Sequence, residues 1–422
     1  MPVGFWSKKY SILLLLTLGL LTRFLFWNHP AETVFDEYGY LNDISAYYTG
    51  ELIFDVHPPL AKLLWAGFGK LTGFESGISG TQIKYEDKGS SFPDKEFLPL
   101  RLLSMFLGAL LPLLVFLMSQ ELGFSGRASL AAGILLTLDN GLITQSRFIL
   151  AEPFLLFFGI LCLYFYFRYK NGQGVANFIL AGILGGFAFS VKWTGGSFIA
   201  LIFLVEMILI WRDGESRKKR RVGQVFSVLV ILPLIIYFLI FVIHFSFLTK
   251  NGPGNVFMSP GFNEKAVWHK FIETNMVMFT ANQQDLTHPY SSKWYNWPFG
   301  LKPVYYWTKE GVNIYLMGNP AVWWPAAASM LVLIFYYGLR EIIKNPSLGL
   351  LWGGFLLNFL PFMAIKRAMF LYHYFPALIF SILVLVYLLD KERNAGFTLF
   401  ILILLAAVSF FYFAPVTYGL PR

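Results

Sequence analysis

Two adjacent acids, Asp36 and Glu37, stand just beyond the first apolar stretch of the chain, in Val34-Phe35-Asp36-Glu37-Tyr38. A carboxylate there can take the proton of an incoming hydroxyl. His57 follows in Asp55-Val56-His57-Pro58-Pro59-Leu60, and four cations, Arg101, Arg147, Lys192 and Arg367, sit where later apolar stretches begin or break. Tyr372 and His373 lie close to Arg367, and Glu152 closes the segment that starts at Ser146 and Arg147. Several cations and a carboxylate pair at a membrane surface suit transfer of a group from a lipid-linked phosphate. The leaving phosphate gathers negative charge, which fixed Arg and Lys side chains stabilise. No Gly-rich phosphate loop is present, so no nucleotide is called for. Each residue also has a plainer reading: solvated loop acids, a histidine fixing a turn, cations anchoring in lipid headgroups. The residues alone leave both open.

The elements that must position them follow from composition. Of 422 residues, 56% are hydrophobic and 14% charged, against about 25% charged in a soluble domain. That deficit points to a membrane protein. The net charge of +9 comes from short basic runs between apolar stretches, which argues against nucleic acid. The single cysteine, Cys162, excludes an internal disulfide and a cysteine-based metal site. A spanning helix needs roughly 20 mostly apolar residues. The chain offers about eleven candidates, near 10–27, 97–118, 128–144, 148–167, 175–190, 193–211, 222–247, 320–339, 347–364, 368–389 and 396–413. The first resembles an uncleaved signal anchor. The expectation is an all-α multi-pass protein.

Orientation follows from basic residues in short loops. With the N-terminus cytoplasmic, the inner loops carry 15 Lys and Arg and the short outer turns 4. The run Arg217-Lys218-Lys219-Arg220-Arg221 is the strongest anchor, and eleven spans put the C-terminus outside. Two long segments, 28–96 and 248–318, then fall on the outer side, the first with eleven acids against five lysines. Apolar residues at helical spacing after Pro59 predict a short surface helix, with Pro59 in its first turn, and 264–280 suggests another. His29, His244 and His269 read as structural, no metal ligand set is complete, and Glu206 has no assigned role.

Several segments together resemble the protein O-mannosyltransferase family. They are Phe35-Asp36-Glu37, Phe54 to Lys62, Ser146 to Pro153, Ser190 to Gly195, His288 to Pro298, Gly318 to Trp324, Phe370 to Leu378 and Pro415 to Gly419, in family order over nearly the whole chain. The resemblance implies a GT-C-type fold, with residues 1–422 as one membrane domain, and inverting transfer of mannose from a polyprenyl-phosphate donor to Ser or Thr of an exported polypeptide. By that likeness Asp36 is the general base and Glu37 positions the hydroxyl or sugar. Arg101 and Lys192 hold the donor phosphate, with Arg147 and Arg367 as further candidates, while His57, Tyr372 and His373 shape the cavity. No cofactor is implied, and a divalent cation at Asp36 and Glu37 is left open. Residues 248–318 are too short for the β-trefoil of the larger members, so the chain resembles a compact bacterial-type member on the cell membrane. The rival readings are a related transferase acting on lipid or glycan, like the lipid A aminoarabinose transferases, and a lipid transporter without covalent chemistry. His57, where those lipid A enzymes resemble this chain with a lysine, favours the protein-modifying branch.

Overall fold

The computed structural model describes residues 8–74, 97–212, 218–284 and 288–421. Glu75, Glu86, Asp87, Asp94 and Glu96 of the first long segment, and Arg217 of the basic run, lie outside the described residues. All eleven expected stretches fall on helices. Eight helical runs among the described residues are long and apolar enough to cross a membrane. The other three stretches carry α1 (Lys8–Phe24), α5 (Gly126–Thr137) and α8 (Val175–Val191).

Chain order then runs as a series of antiparallel helices. After α1, the first long segment holds α2 (Glu37–Thr49) and α3 (Leu60–Thr72). A helix follows Pro59 as predicted, with Pro59 at its N-cap and not in its first turn. The bundle continues with α4 (Leu98–Glu121), α5, the short α6 (Asn140–Ser146), α7 (Glu152–Lys170), α8 and α9 (Gly196–Arg212). The third expected span, 128–144, is cut short at Thr137. Buried Asp139 caps α6 by accepting from the Leu142 N–H at 2.8 Å, and it also accepts from the Trp323 indole at 2.6 Å. The long apolar run 175–211 breaks as expected, at extended Lys192. Gly195 permits the break: a Cβ there would meet the Ala188 carbonyl oxygen at 2.3 Å.

α10 (Lys218–Phe226) and α11 (Leu232–Phe247) form one apolar rod through a π-helical turn. The second long segment carries α12 (Val267–Ala281), near the weaker helix prediction at 264–280, and a feature the all-α expectation lacked. Strands β1 (Val304–Lys309) and β2 (Val312–Leu316) pair antiparallel. Glu310 and Gly311 both take positive φ (49° and 81°) in the two-residue turn between them, which matches the right-handed twist of paired strands. The chain closes with α13 (Pro320–Val332), α14 (Gly338–Lys344), α15 (Pro346–Phe359), α16 (Phe375–Asp390) and α17 (Ala395–Tyr418). Asn319 caps α13 with Pro320 in the first turn.

α16 is apolar on every side, and 13 of its 16 residues are buried, as a helix at the centre of a bundle must be. α17 instead exposes Phe400, Val408, Phe411 and Tyr412, the pattern of a lipid-facing helix. Glu206 finds its role here: buried on α9, it pairs with Lys170 at 2.8 Å and Arg221 at 3.3 Å and accepts from the Tyr166 hydroxyl.

Both long segments meet at one end of the bundle. Glu51 bridges to Lys250, and Lys309 pairs with Glu32 at 2.8 Å. The end of α17 joins them through His29, whose Nε2 lies 2.8 Å from the Gly419 carbonyl oxygen.

Candidate active site

The loop before α2 is where one acid turns inward and its neighbour outward. Phe35 holds φ of +32°, a conformation costing a bulky residue roughly 1–3 kcal/mol. The hairpin offsets that cost. The Phe35 N–H donates to the Tyr306 carbonyl at 3.1 Å, and the two rings stack at 5.0 Å, 3° from parallel. Tyr306 sits in the bulge where β1 and β2 lose register between Tyr305 and Trp307, and a bulge redirects a side chain in this way.

Glu37 goes into the protein. It is fully buried, and its Oε1 and Oε2 accept from Arg101 Nε at 2.7 Å and Nη2 at 2.6 Å. The backbone N–H groups of Val34 and Ile149 donate to the same carboxylate, each at 3.1 Å. Four donors fill the acceptor sites of a carboxylate. Arg101 also donates to the Pro30 and Glu32 carbonyls at 2.6 and 2.8 Å. This pair fixes the loop; neither residue lines a described cavity. Arg147 is likewise buried, giving its N–H groups to the carbonyls of Thr417, Phe26 and His29. The structure therefore corrects three expected positions. Glu37 does not reach a substrate hydroxyl, and Arg101 and Arg147 do not reach a phosphate, because burial and hydrogen bonds to the surrounding loops commit all three to the scaffold.

Asp36, half-buried, faces a cavity of about 420 Å³ with Tyr38, Tyr40, Asp43, Asp55, His57, Arg367 and Tyr372 on its walls. A second cavity of about 370 Å³ shares the Tyr372 wall. Glu152, Lys192, His373 and a largely apolar set including Leu155, Leu357, Phe362 and Ile365 line it. A third, of about 210 Å³, adjoins both through His57 and Arg367 on one side and Lys192 and His373 on the other. Six expected residues (Asp36, His57, Lys192, Arg367, Tyr372 and His373) thus converge. They come from the α2 loop, the α3 loop, the α8–α9 break and the segment between α15 and α16.

Contacts hold most of them in place. The Tyr372 hydroxyl hydrogen-bonds Asp36. Lys192 forms an ion pair with Glu152 and lies 5.3 Å from the centre of the Tyr372 ring. His373 stacks on Tyr372 at 4.7 Å and uses Nδ1 at the Phe370 backbone, which leaves Nε2 for the cavity. Behind His57, Lys62 bridges Asp55 and, at 3.6 Å, Asp43. Arg367 has no hydrogen-bond or ion-pair partner among the described residues. Burial pushes the Asp36 carboxyl up to about 7, opposed by Lys192 and Arg367 and aided by Glu152 and Asp55. A carboxyl so placed exchanges its proton near neutrality. Burial, with Lys192, Arg367, Lys62 and His373 near it, holds His57 well below its ordinary range and keeps it uncharged.

Three further side chains complete the arrangement: Glu152, to which the sequence assigns no role, and Gln145 and Tyr306. Glu152 receives hydrogen bonds from Lys192 and from the Gln145 amide, and the Gln145 carbonyl oxygen accepts from Tyr306. One polar chain therefore links the cation at the α8–α9 break to the loop carrying Asp36. Glu152 and Gln145 announce themselves in sequence as polar residues at the break between two spans. Tyr306 gives no such signal.

Among the described residues no group of three or more His, Cys, Asp or Glu side chains stands where it could hold a metal ion.

A many-helix membrane bundle with a carboxylate, cations and an apolar slot at one end fits a GT-C-type architecture, and comparison with solved structures agrees. The Saccharomyces cerevisiae protein O-mannosyltransferase Pmt1–Pmt2 complex bound to the sugar donor superposes with a TM-score of 0.91 at 19% identity, covering 100% of this chain and 91% of that one. ArnT from Cupriavidus metallidurans bound to undecaprenyl phosphate gives a TM-score of 0.58 at 16% identity, over 97% and 66% of the two chains. The chain belongs to the dolichyl-phosphate-mannose-protein mannosyltransferase family, whose model matches residues 13–249. The C-terminal four TMM region of protein-O-mannosyltransferase matches residues 267–422. Protein O-mannosyl-transferase 2 of Danio rerio is 30% identical over 286 residues, 64% of this chain and 37% of that protein. Dolichyl-phosphate-mannose--protein mannosyltransferase 1 of Saccharomyces cerevisiae is 33% identical over 263 residues, 59% and 31% respectively. The chain spans about a third of the length of these curated relatives.

Proposed function

We propose that this protein transfers mannose from a polyprenyl-phosphate donor to Ser or Thr hydroxyls of exported polypeptides, with inversion at the sugar. The observation that carries the reading is the convergence of Asp36, Lys192 and Arg367 on adjoining cavities. The acceptor hydroxyl enters the larger cavity beside Asp36. Its oxygen attacks the anomeric carbon, the bond from that carbon to the phosphate oxygen breaks, and the hydroxyl proton passes to Asp36. The electron pair leaves on the phosphate, where Lys192 and Arg367 meet the growing charge. One displacement needs one base and no covalent sugar intermediate. Tyr372 orients the Asp36 carboxylate, and the apolar walls of the second cavity suit the first units of the lipid chain. His57 and His373 shape the space between.

The distribution of basic residues supports placing this end of the bundle outside the cell membrane, with the N-terminus cytoplasmic and the C-terminus outside. Segments 28–96 and 248–318 are then the two extracytoplasmic loops of a single membrane domain.

The test is an assay of the purified protein with polyprenyl-phosphate mannose and a Ser/Thr-rich peptide. Mannosylated peptide is the expected product. Transfer only to a lipid or glycan acceptor, or no transfer from any polyprenyl-phosphate sugar, refutes the reading.

A further inference from the structure

Glu152 is a buried carboxylate to which the reaction just described gives no task. It is 4% exposed, opens α7 and lines the second cavity beside Lys192. The Gln145 amide holds its other oxygen, so it cannot swing away from the ammonium group. Arg367 is the opposite case, lining the first and third cavities with no hydrogen-bond or ion-pair partner among the described residues. The charges around the phosphate position are therefore Lys192 and Arg367 against the fixed anion Glu152, with Asp36 on the same cavity wall as Arg367 a second anion when ionised, and His57 held uncharged by burial and its cationic neighbours.

That balance matters because the two lipids the site must handle differ in charge. A polyprenyl-phosphate sugar is a phosphodiester and carries one negative charge at any working pH. The polyprenyl phosphate left after transfer is a monoester, which takes a second negative charge above about pH 6. Two cations offset by Glu152, and by Asp36 when ionised, leave little surplus positive charge to reward the second negative charge of the product. Coulomb repulsion scales with the charge product, so the Glu152 carboxylate acts twice as strongly on a dianion as on a monoanion at the same place.

We propose that Glu152 tunes the phosphate site to the singly charged donor and weakens its hold on the doubly charged product, so that polyprenyl phosphate leaves after each transfer. The inference rests on the placement of the phosphate at Lys192 and Arg367. Glu152 acts on the phosphate through its charge, held in place beside Lys192. If it only held Lys192 in place, removing its charge would weaken donor and product alike.

Steady-state kinetics of the full chain in nanodiscs, with polyprenyl phosphate as product inhibitor, separate these cases. In Glu152→Gln at about pH 8 the inhibition constant for polyprenyl phosphate falls by roughly tenfold or more, while the donor KM changes by a clearly smaller factor. Equal shifts in both constants, or weaker product binding, overturn the proposal. A second measurement leaves Glu152 in place. Binding of polyprenyl phosphate to Asp36→Asn protein, in which the base no longer titrates, stays within roughly threefold between about pH 5.5 and 8, across the second phosphate ionisation. Tightening of tenfold or more over that range overturns the proposal. Lys192→Met distinguishes the two levels of the argument. If it alters neither the donor KM nor product inhibition, the phosphate placement fails and the inference with it. If it weakens both while Glu152→Gln fails to favour the product, the inference alone fails.

Discussion

Replacing Asp36 with asparagine separates chemistry from scaffolding, because the two have opposite signs at this position. Asn keeps the shape and the contact with Tyr372 but cannot take a proton. Loss of a general base costs roughly 10²–10⁴-fold in rate, so turnover in Asp36→Asn falls at least a hundredfold. Stability moves the other way. Burial raises this carboxyl from 3.8 to about 7, so ionised Asp36 burdens the folded state. Its contribution to stability is fully present below about pH 4, the unfolded value, and is lost as pH rises through about 7. One pKa unit corresponds to about 1.4 kcal/mol, and solvent at the cavity lip screens much of the shift, leaving roughly 1–2 kcal/mol at pH 8. Asp36→Asn is therefore more stable than the parent by about that amount at pH 8, and the gap closes towards pH 4. Thermal unfolding in detergent across that range, monitored by tryptophan fluorescence, measures the gap. Transfer rate in the parent protein rises with pH to a plateau above about 7. Parallel stability curves, or a variant with undiminished transfer, refute the assignment of Asp36 as a buried base.

Arg101→Met leaves the Glu37 carboxylate buried without its cation, which costs roughly 3–5 kcal/mol and lowers the unfolding midpoint. Adding Glu37→Met recovers part of that loss, and a double variant no more stable than the single one contradicts the scaffold role. Tyr306→Phe strands the buried Gln145 oxygen at a cost of about 1–3 kcal/mol. It also lowers kcat with little change in donor KM, since the loop bearing Asp36 loses its fixed partner; an unchanged kcat sinks the relay.

The helical frame was legible because membrane spans impose a length and an apolarity that few other segments share. Even the breaks at Asp139 and at Lys192 to Gly196 showed as polar or Gly-bearing interruptions. The site was legible only in part. Sequence places charged residues at a membrane depth but not on a face, so Asp36 and Glu37 looked equivalent. One residue of chain and the left-handed Phe35 send them to opposite sides of a wall. The arginines misled for a related reason. Arg101 and Arg147 begin spans as Lys192 does, yet each finds backbone carbonyls from distant loops, and no local pattern reveals those. The hairpin was missed because alternation in Val304 to Leu316 is masked by aromatic residues on both faces.

The bond between His29 and Gly419 joins residues 390 positions apart, and Arg147 ties Thr417 to Phe26 in the same corner. Synthesis runs from the N-terminal end, so the loop carrying Asp36 is made long before α17 exists to brace it. The reaction centre is consequently the last part of the molecule to be completed. A chain halted short of α17 lacks the brace that these contacts give to the loop carrying Asp36.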